Sequence, residues 1–340
     1  MKKWVYRTVA ALAAVLVLVT AVVLIAAQRT ERPVGFDVRR ATNSLGRPFA
    51  IALWYPTSAA PWPTTLLGVT LMSVARGGAV EGQRLPLVIL SHGNGGGAGS
   101  HADLALALAD AGYVVAAPIH SGDNFEDGTG LGSPRFWSNR NQELRASIDY
   151  MLNSWSGRSH LDPSRIGVFG FSAGGFTALN AIGGRPDLRA IPAHCARTPE
   201  FVCEVLRAGN SPLLKEIAEP IDQDFVEDAR LQAAVIVAPG LGFTFANGGL
   251  RGVAVPVQIW TGQNDRATPD ASNGAVVRSE LGSRIEAHSV PGAGHASFLA
   301  PCHLLRPPGL CEDEPGFDRA AFHKWMNAEV VDFFNRTLKH

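Results

Sequence analysis

Three residues far apart in the chain, Ser172, Asp265 and His295, have the types and the order to do nucleophilic chemistry together. A serine hydroxyl attacks a carbonyl only when a base takes its proton. A histidine does this best when an acid fixes its tautomer and stabilises its charged form. Each of the three stands in a loop just past an apolar run that reads as a strand: 165–169 before the serine, 255–260 before the acid, 284–290 before the histidine. A lone acid or histidine in a loop is usually only solvated, but three such residues at three strand ends are not independent. Ser172 sits in Gly170-Phe171-Ser172-Ala173-Gly174, where glycines two positions either side let a strand and the following helix pass closely. Such a turn is strained and pushes the hydroxyl out of the sheet, and a helix beginning at Ala173 aims free N–H groups at an oxyanion forming beside it. Gly-x-Ser-x-Gly alone has few fixed positions and also occurs as an ordinary glycine turn. The strand and helix that flank it here set this one apart.

Acyl transfer needs a second backbone donor from another loop, and Ser91-His92-Gly93-Asn94-Gly95-Gly96-Gly97 offers one directly after the apolar run 85–90. The expected oxyanion donors are the amides of Asn94 and Ala173. A phosphate-cradling loop is the rival reading, but neither its Gly-Lys-Ser/Thr ending nor G-x-G-x-x-G spacing is present. His120 and Asp123 follow another strand, 113–117, where open α/β sheets bind ligands. They could line the site, yet a loop held by its own Asx turn accounts for them as well and is the favoured expectation.

These loops must be carried by a sheet. Runs 34–40 and 49–55 read as an opening hairpin, and 56–84, with prolines and paired glycines, as a loop or short excursion. Then strand 85–90, helix 102–111 and strand 113–117 form a parallel βαβ unit, and helix 139–155 leads through Asp162-Pro163-Ser164 into the nucleophile strand. The pattern breaks over about 183–230, which reads as a cap insertion with an acidic run from Glu216 to Asp228 on a solvated face. Strands 233–238, 255–260 and 284–290 resume the sheet, and helix 317–338 closes the chain. The fold class is α/β, a mostly parallel central sheet flanked by helices with a small cap.

The chain has 340 residues, 46% of them apolar, with 30 basic against 30 acidic side chains, which fits one large core and no repeat or disordered class. Zero formal charge and the lack of a basic stripe argue against nucleic acid as a partner. Lys2, Lys3 and Arg7 precede an uncharged stretch from Thr8 to Gln28, long enough for roughly 30 Å of helix, about a bilayer's hydrocarbon core. Residues 1–30 are expected to be an uncleaved membrane anchor with its N-terminus in the cytoplasm, ahead of a cleaved signal and of a buried helix. Residues 31–340 form the exported domain. Cys195 with Cys203 and Cys302 with Cys311 make short loops suited to disulfides in an oxidising compartment, although other pairings and free thiols remain open. His194 and His303 lie beside cysteines without zinc-site spacing, so no metal or cofactor is expected.

Leu85-Pro-Leu-Val-Ile-Leu-Ser-His-Gly93, Arg165-Ile-Gly-Val-Phe-Gly-Phe-Ser-Ala-Gly-Gly175, the Gly262-Gln-Asn-Asp265 turn and the Gly292-Ala-Gly-His295 turn together resemble the α/β-hydrolase superfamily. Residues from about Gly35 onward are similar to the exported predicted dienelactone hydrolases, themselves akin to platelet-activating-factor acetylhydrolases. The resemblance implies an α/β-hydrolase fold, a triad of Ser172, Asp265 and His295, and oxyanion donors at Asn94 and Ala173. True dienelactone hydrolases use a cysteine nucleophile, and this elbow holds serine, so dienelactone turnover is not inherited. The expected activity is hydrolysis of small-molecule carboxylic esters through an acyl-enzyme. A peptidase or acyltransferase with the same triad and a catalytically silent binding module are the alternatives.

Overall fold

Aliphatic runs bounded by glycine turns become strands covered on both faces, and the computed structural model describes residues 2–44, 46–66, 70–133, 135–215, 225–302 and 306–339. The strands are β1 Val34–Thr42, β2 Pro48–Pro56, β3 Trp62–Leu66, β4 Thr70–Arg76, β5 Leu85–Ser91, β6 Val114–Ile119, β7 Leu161–Phe171, β8 Leu231–Val237, β9 Val257–Gly262 and β10 Ile285–Val290. Among the described residues they form one sheet in the order β10-β9-β8-β7-β5-β6-β2-β1-β4-β3. Neighbours from β10 to β6 are parallel, β2 runs antiparallel to both β6 and β1, and β4 runs parallel to β1.

The helices are α1 Lys2–Ala26, α2 Ala102–Asp110, α3 Phe136–Asn153, α4 Ala173–Ala181, α5 Ala190–Arg197, α6 Phe201–Ala208, α7 Gly274–Leu281 and α8 Arg319–Leu338. Alternation along the central strands feeds two cores. Leu87 and Ile89 of β5 with Ile166 and Val168 of β7 face Leu144, Ile148 and Phe176 of α3 and α4. Val88, Leu90, Phe169 and Phe171 face the opposite layer, with Leu104, Leu108, Val330 and Phe334 of α2 and α8. The long C-terminal helix thus packs on the sheet as its aromatic spacing predicts.

Three sequence expectations change. The excursion at 56–84 contains the β3–β4 hairpin, with Trp62 opposite Val74 and Leu66 opposite Thr70. Pro63 is tolerated there because β3 is the edge strand. Asp162-Pro163-Ser164 lies inside β7 as a bulge: Leu161 pairs with Leu85 and Ile166 with Leu87, while Asp162 Oδ1 accepts from the Ser164 amide at 3.1 Å. Helix α3 begins at Phe136, three residues before the expected Asn139. The cap region holds α5 and α6, and most of its acidic run lies outside the described residues, as does His303. Both short-range disulfides form, Cys195–Cys203 joining α5 to α6 and Cys302–Cys311 closing the loop after His295.

Candidate active site

Ser172 stands between β7 and α4 with φ 55 and ψ −116, a backbone conformation that side-chain-bearing residues rarely adopt. Its neighbours over-determine that geometry. The Ser172 amide donates to Val237 O at 2.9 Å and its carbonyl accepts from Gly240 at 3.1 Å. A Cβ at Gly170 would lie 2.1 Å from Gly174 O, and one at Gly174 would lie 1.9 Å from Ser91 O, so both glycines are required by backbone contact.

The other two residues reach the serine from the ends of β9 and β10. His295 Nε2 lies 3.0 Å from Ser172 Oγ and its Nδ1 lies 2.7 Å from Asp265 Oδ2. Amides of Ala267 and Thr268 donate to Asp265 Oδ1 at 2.9 Å each, and the Thr268 hydroxyl lies 2.9 Å from Oδ2. These bonds fix the carboxylate so that one oxygen faces the imidazole. The Asn264 amide donates to Ala293 O at 3.0 Å, stitching the acid loop to the histidine loop. Ser172 is 6% exposed and the His295 side chain 22%, so the hydroxyl is reached past the histidine edge.

On the other side of the serine, Gly93 is pressed against it: a Cβ there would lie 2.9 Å from the Phe171 ring and 3.3 Å from Ser172 Cβ. This brings the expected donor loop beside the hydroxyl. Ala173 opens α4, where an amide has no intrahelical acceptor. The side chain of Asn94 is turned away and donates to Asp123 Oδ1 at 2.6 Å, with the Gly95 amide on the same oxygen at 2.7 Å.

Asp123 therefore does not cap its own loop. That loop is held by Asn124, whose Oδ1 accepts from the Glu126 and Asp127 amides, and by Asp127. Asp123 instead pairs with Arg140 of α3, which is 1% exposed and also donates to His92 O and, at 3.3 Å, to Thr177 Oγ1. Thr177 passes the contact on to Ala173 O at 2.9 Å. One buried guanidinium thus ties the glycine-rich loop after β5 to α4. His120 is buried too, between Ser91 Oγ at 3.0 Å and Glu143 Oε2 at 3.1 Å. Burial and the Arg140 charge hold His92 and His120 well below the usual histidine range, so both are neutral.

Arg140 is the residue that sequence reading passes over. A signal existed: it lies four residues before Leu144 and eleven before Met151, on the apolar stripe of α3, where an arginine needs a buried partner. A second passed-over cluster supports the histidine. His323 of α8 lies 2.6 Å from Asp103 Oδ2 through Nδ1 and 3.0 Å from Ser297 O through Nε2. Burial opposes ionisation of Asp103, but the His323 charge and hydrogen bonds from His323 and Asn327 outweigh it and bring its carboxyl down to about 2. The Ser297 hydroxyl donates to Asp313, which Arg319 holds at 2.9 Å.

A parallel sheet with Ser172, Asp265 and His295 on the loops after β7, β9 and β10, and a glycine-rich loop after β5, decides the architecture. The chain has the α/β-hydrolase fold. Among solved structures, this hydrolase fold superposes on a ferulic acid esterase from Streptomyces cinnamoneus with a TM-score of 0.62, at 19% identity over 92% of each chain. A model of the dienelactone hydrolase family matches residues 75–228, from β4 to beyond the nucleophile helix. Over 105 residues the chain is 36% identical to Cutinase 2 of Thermobifida cellulosilytica and to Cutinase cut1 of Thermobifida fusca. That stretch is 30% of this chain, and it spans about a third of the length of those curated relatives: 36% of the first and 30% of the second.

Proposed function

We propose that the protein hydrolyses carboxylic esters, with Ser172 as nucleophile, His295 as general base and then general acid, and Asp265 as the group that orients the imidazole. His295 takes the Ser172 proton as Oγ attacks the ester carbonyl. The Asn94 and Ala173 amides receive the oxyanion, and the protonated imidazole hands its proton to the leaving alcohol. Water, deprotonated by the same histidine, then releases the acid from the acyl-enzyme. The observation that carries this reading is the line of two hydrogen bonds, 2.7 Å and 3.0 Å, from Asp265 through His295 to Ser172. The likeness to cutinases and to a ferulic acid esterase points to esters rather than amides as first substrates.

The test is turnover of p-nitrophenyl acetate, butyrate, octanoate and palmitate beside Ser172→Ala. The variant loses about 10⁴-fold or more, and the preferred chain length sizes the acyl pocket. Equal low rates from both proteins overturn the assignment. The same reading takes α1, whose Lys3–Ala26 stretch is long and apolar enough to cross a bilayer, as a membrane anchor that leaves the disulfide-bonded hydrolase outside the cytoplasm.

A further inference from the structure

The anchor joins the domain without a spacer. The Ala27 amide still donates to Val23 O at 3.1 Å, yet Ala27 is already buried at 4% exposure. Gln28 is paired in the sheet, its amide on Leu71 O at 3.0 Å and its carbonyl accepting from Ser73 at 2.9 Å. From there the chain runs to Arg32, whose amide donates to Asp110 Oδ1 at 2.8 Å, at the last residue of α2.

That path fixes which end of the sheet meets the membrane. The first residue of α2, Ala102, follows the short helix Ala98–His101, which continues the donor loop of Asn94. Residues 28 to 32 cover about 13 Å of extended chain, and the nine residues of α2 rise by about the same. That span is long enough for the point where α1 leaves the domain to reach the start of α2, at the active-site end. Gly99 agrees, because a Cβ there would lie 3.6 Å from the Thr70 hydroxyl and 3.7 Å from Leu66 Cβ, at the turn of the hairpin that Gln28 joins. None of the spanning window of α1 is buried in the domain. Two large apolar side chains are exposed at this end, past β6. Phe125 packs on Gly97 and is 44% exposed, and Leu131 is 39% exposed.

We infer that the mouth of the active site faces the membrane surface, and that its substrates are amphiphilic esters seated in that surface rather than esters free in water. This rests on the proposed esterase activity and on retention of α1. A carbonyl at the level of the headgroups is within reach of Ser172 without the molecule leaving the leaflet, and Phe125 and Leu131 meet the same layer.

The experiment uses the full chain in phosphatidylcholine vesicles. A bimane label at Phe125→Cys is compared with one at Gln83→Cys, an exposed residue beside the opposite end of β5. Lipids carrying a shallow doxyl quencher are expected to quench position 125 severalfold more than position 83. Equal quenching, or the reverse order, overturns the orientation. In parallel, a flexible insert of about 20 residues between Ala26 and Ala27 is expected to leave p-nitrophenyl acetate turnover unchanged. The same insert lowers hydrolysis of vesicle-embedded 4-methylumbelliferyl palmitate by about tenfold or more, because the site is no longer held at the surface. Unchanged rates on both esters overturn the substrate class. If the unmodified protein turns over neither ester, the esterase reading fails, while quenching still reports orientation. A mature N-terminus at Ala27 or Gln28 in the membrane fraction removes the anchor and overturns the inference.

Discussion

Asp123 and Arg140 make the donor loop a supported structure rather than a free glycine loop. Asp123 takes the Asn94 side chain and the Gly95 amide, and in the proposed mechanism this holds the loop whose Asn94 N–H receives the oxyanion. Asp123→Asn keeps the shape but weakens both bonds. It is expected to lower kcat by about 10² with little change in KM, the size of losing one oxyanion donor. Steady-state kinetics on a soluble ester, with thermal midpoints beside them, checks this. An unchanged kcat in a folded variant would show that the loop holds itself. His92 and His120 remain neutral through the physiological range, so neither adds a charge beside the loop there. At this scale the sequence was partly legible. Ser172, Asp265 and His295 could be named because each follows a strand. The sequence points to an Asx turn in the loop of Asp123, which Asn124 makes, but not to the pairing of Asp123 with Arg140, because pattern reading treats the arginine of a helix as solvated.

The element that carries His295 is a short turn, residues 295–298, and almost everything that fixes it comes from outside it. Asp103 and His323 hold Ser297 O from α2 and α8, while the Cys302–Cys311 loop and Arg319 hold the segment after it. Asp103 ionises at lower pH in the folded protein, about 2, than in an unfolded chain, about 4. Its contribution to stability is therefore complete above about pH 4 and is lost as pH falls towards 2. Urea unfolding of wild type and Asp103→Asn should show a stability gap at neutral pH that narrows near pH 2. A gap that stays constant would mean that the charge of Asp103 is not what the fold uses. The Cys302–Cys311 loop makes a separate forecast. In a reductant titration of Cys195→Ser/Cys203→Ser, which leaves the other bridge, ester turnover should fall before far-UV ellipticity does. Coincident loss would argue against a local clamp. Strands and helices at this scale were legible from apolar runs, because alternation and length are local. The β3–β4 hairpin was not, since Pro63 and the glycines at 77 and 78 break its pattern and only pairing with β1 makes it a strand.

For the whole molecule, parallel topology could be read from the order of strands and helices, and export from the apolar N-terminus and the cysteine spacing. What no local pattern could supply is that the chain after α1 enters the sheet at Gln28. The expected boundary lies at residue 30, and Gln28, two residues before it, already pairs with Met72. The consequence is kinetic. On the inference drawn above, a catalyst fastened this closely to a leaflet meets an embedded ester by diffusion in two dimensions, so its rate follows the mole fraction of ester in the lipid. Diluting vesicles of constant composition should then leave turnover per enzyme unchanged, while diluting the ester with inert lipid lowers it. If α1 is retained as proposed, the relevant volume is the membrane on which the domain stands.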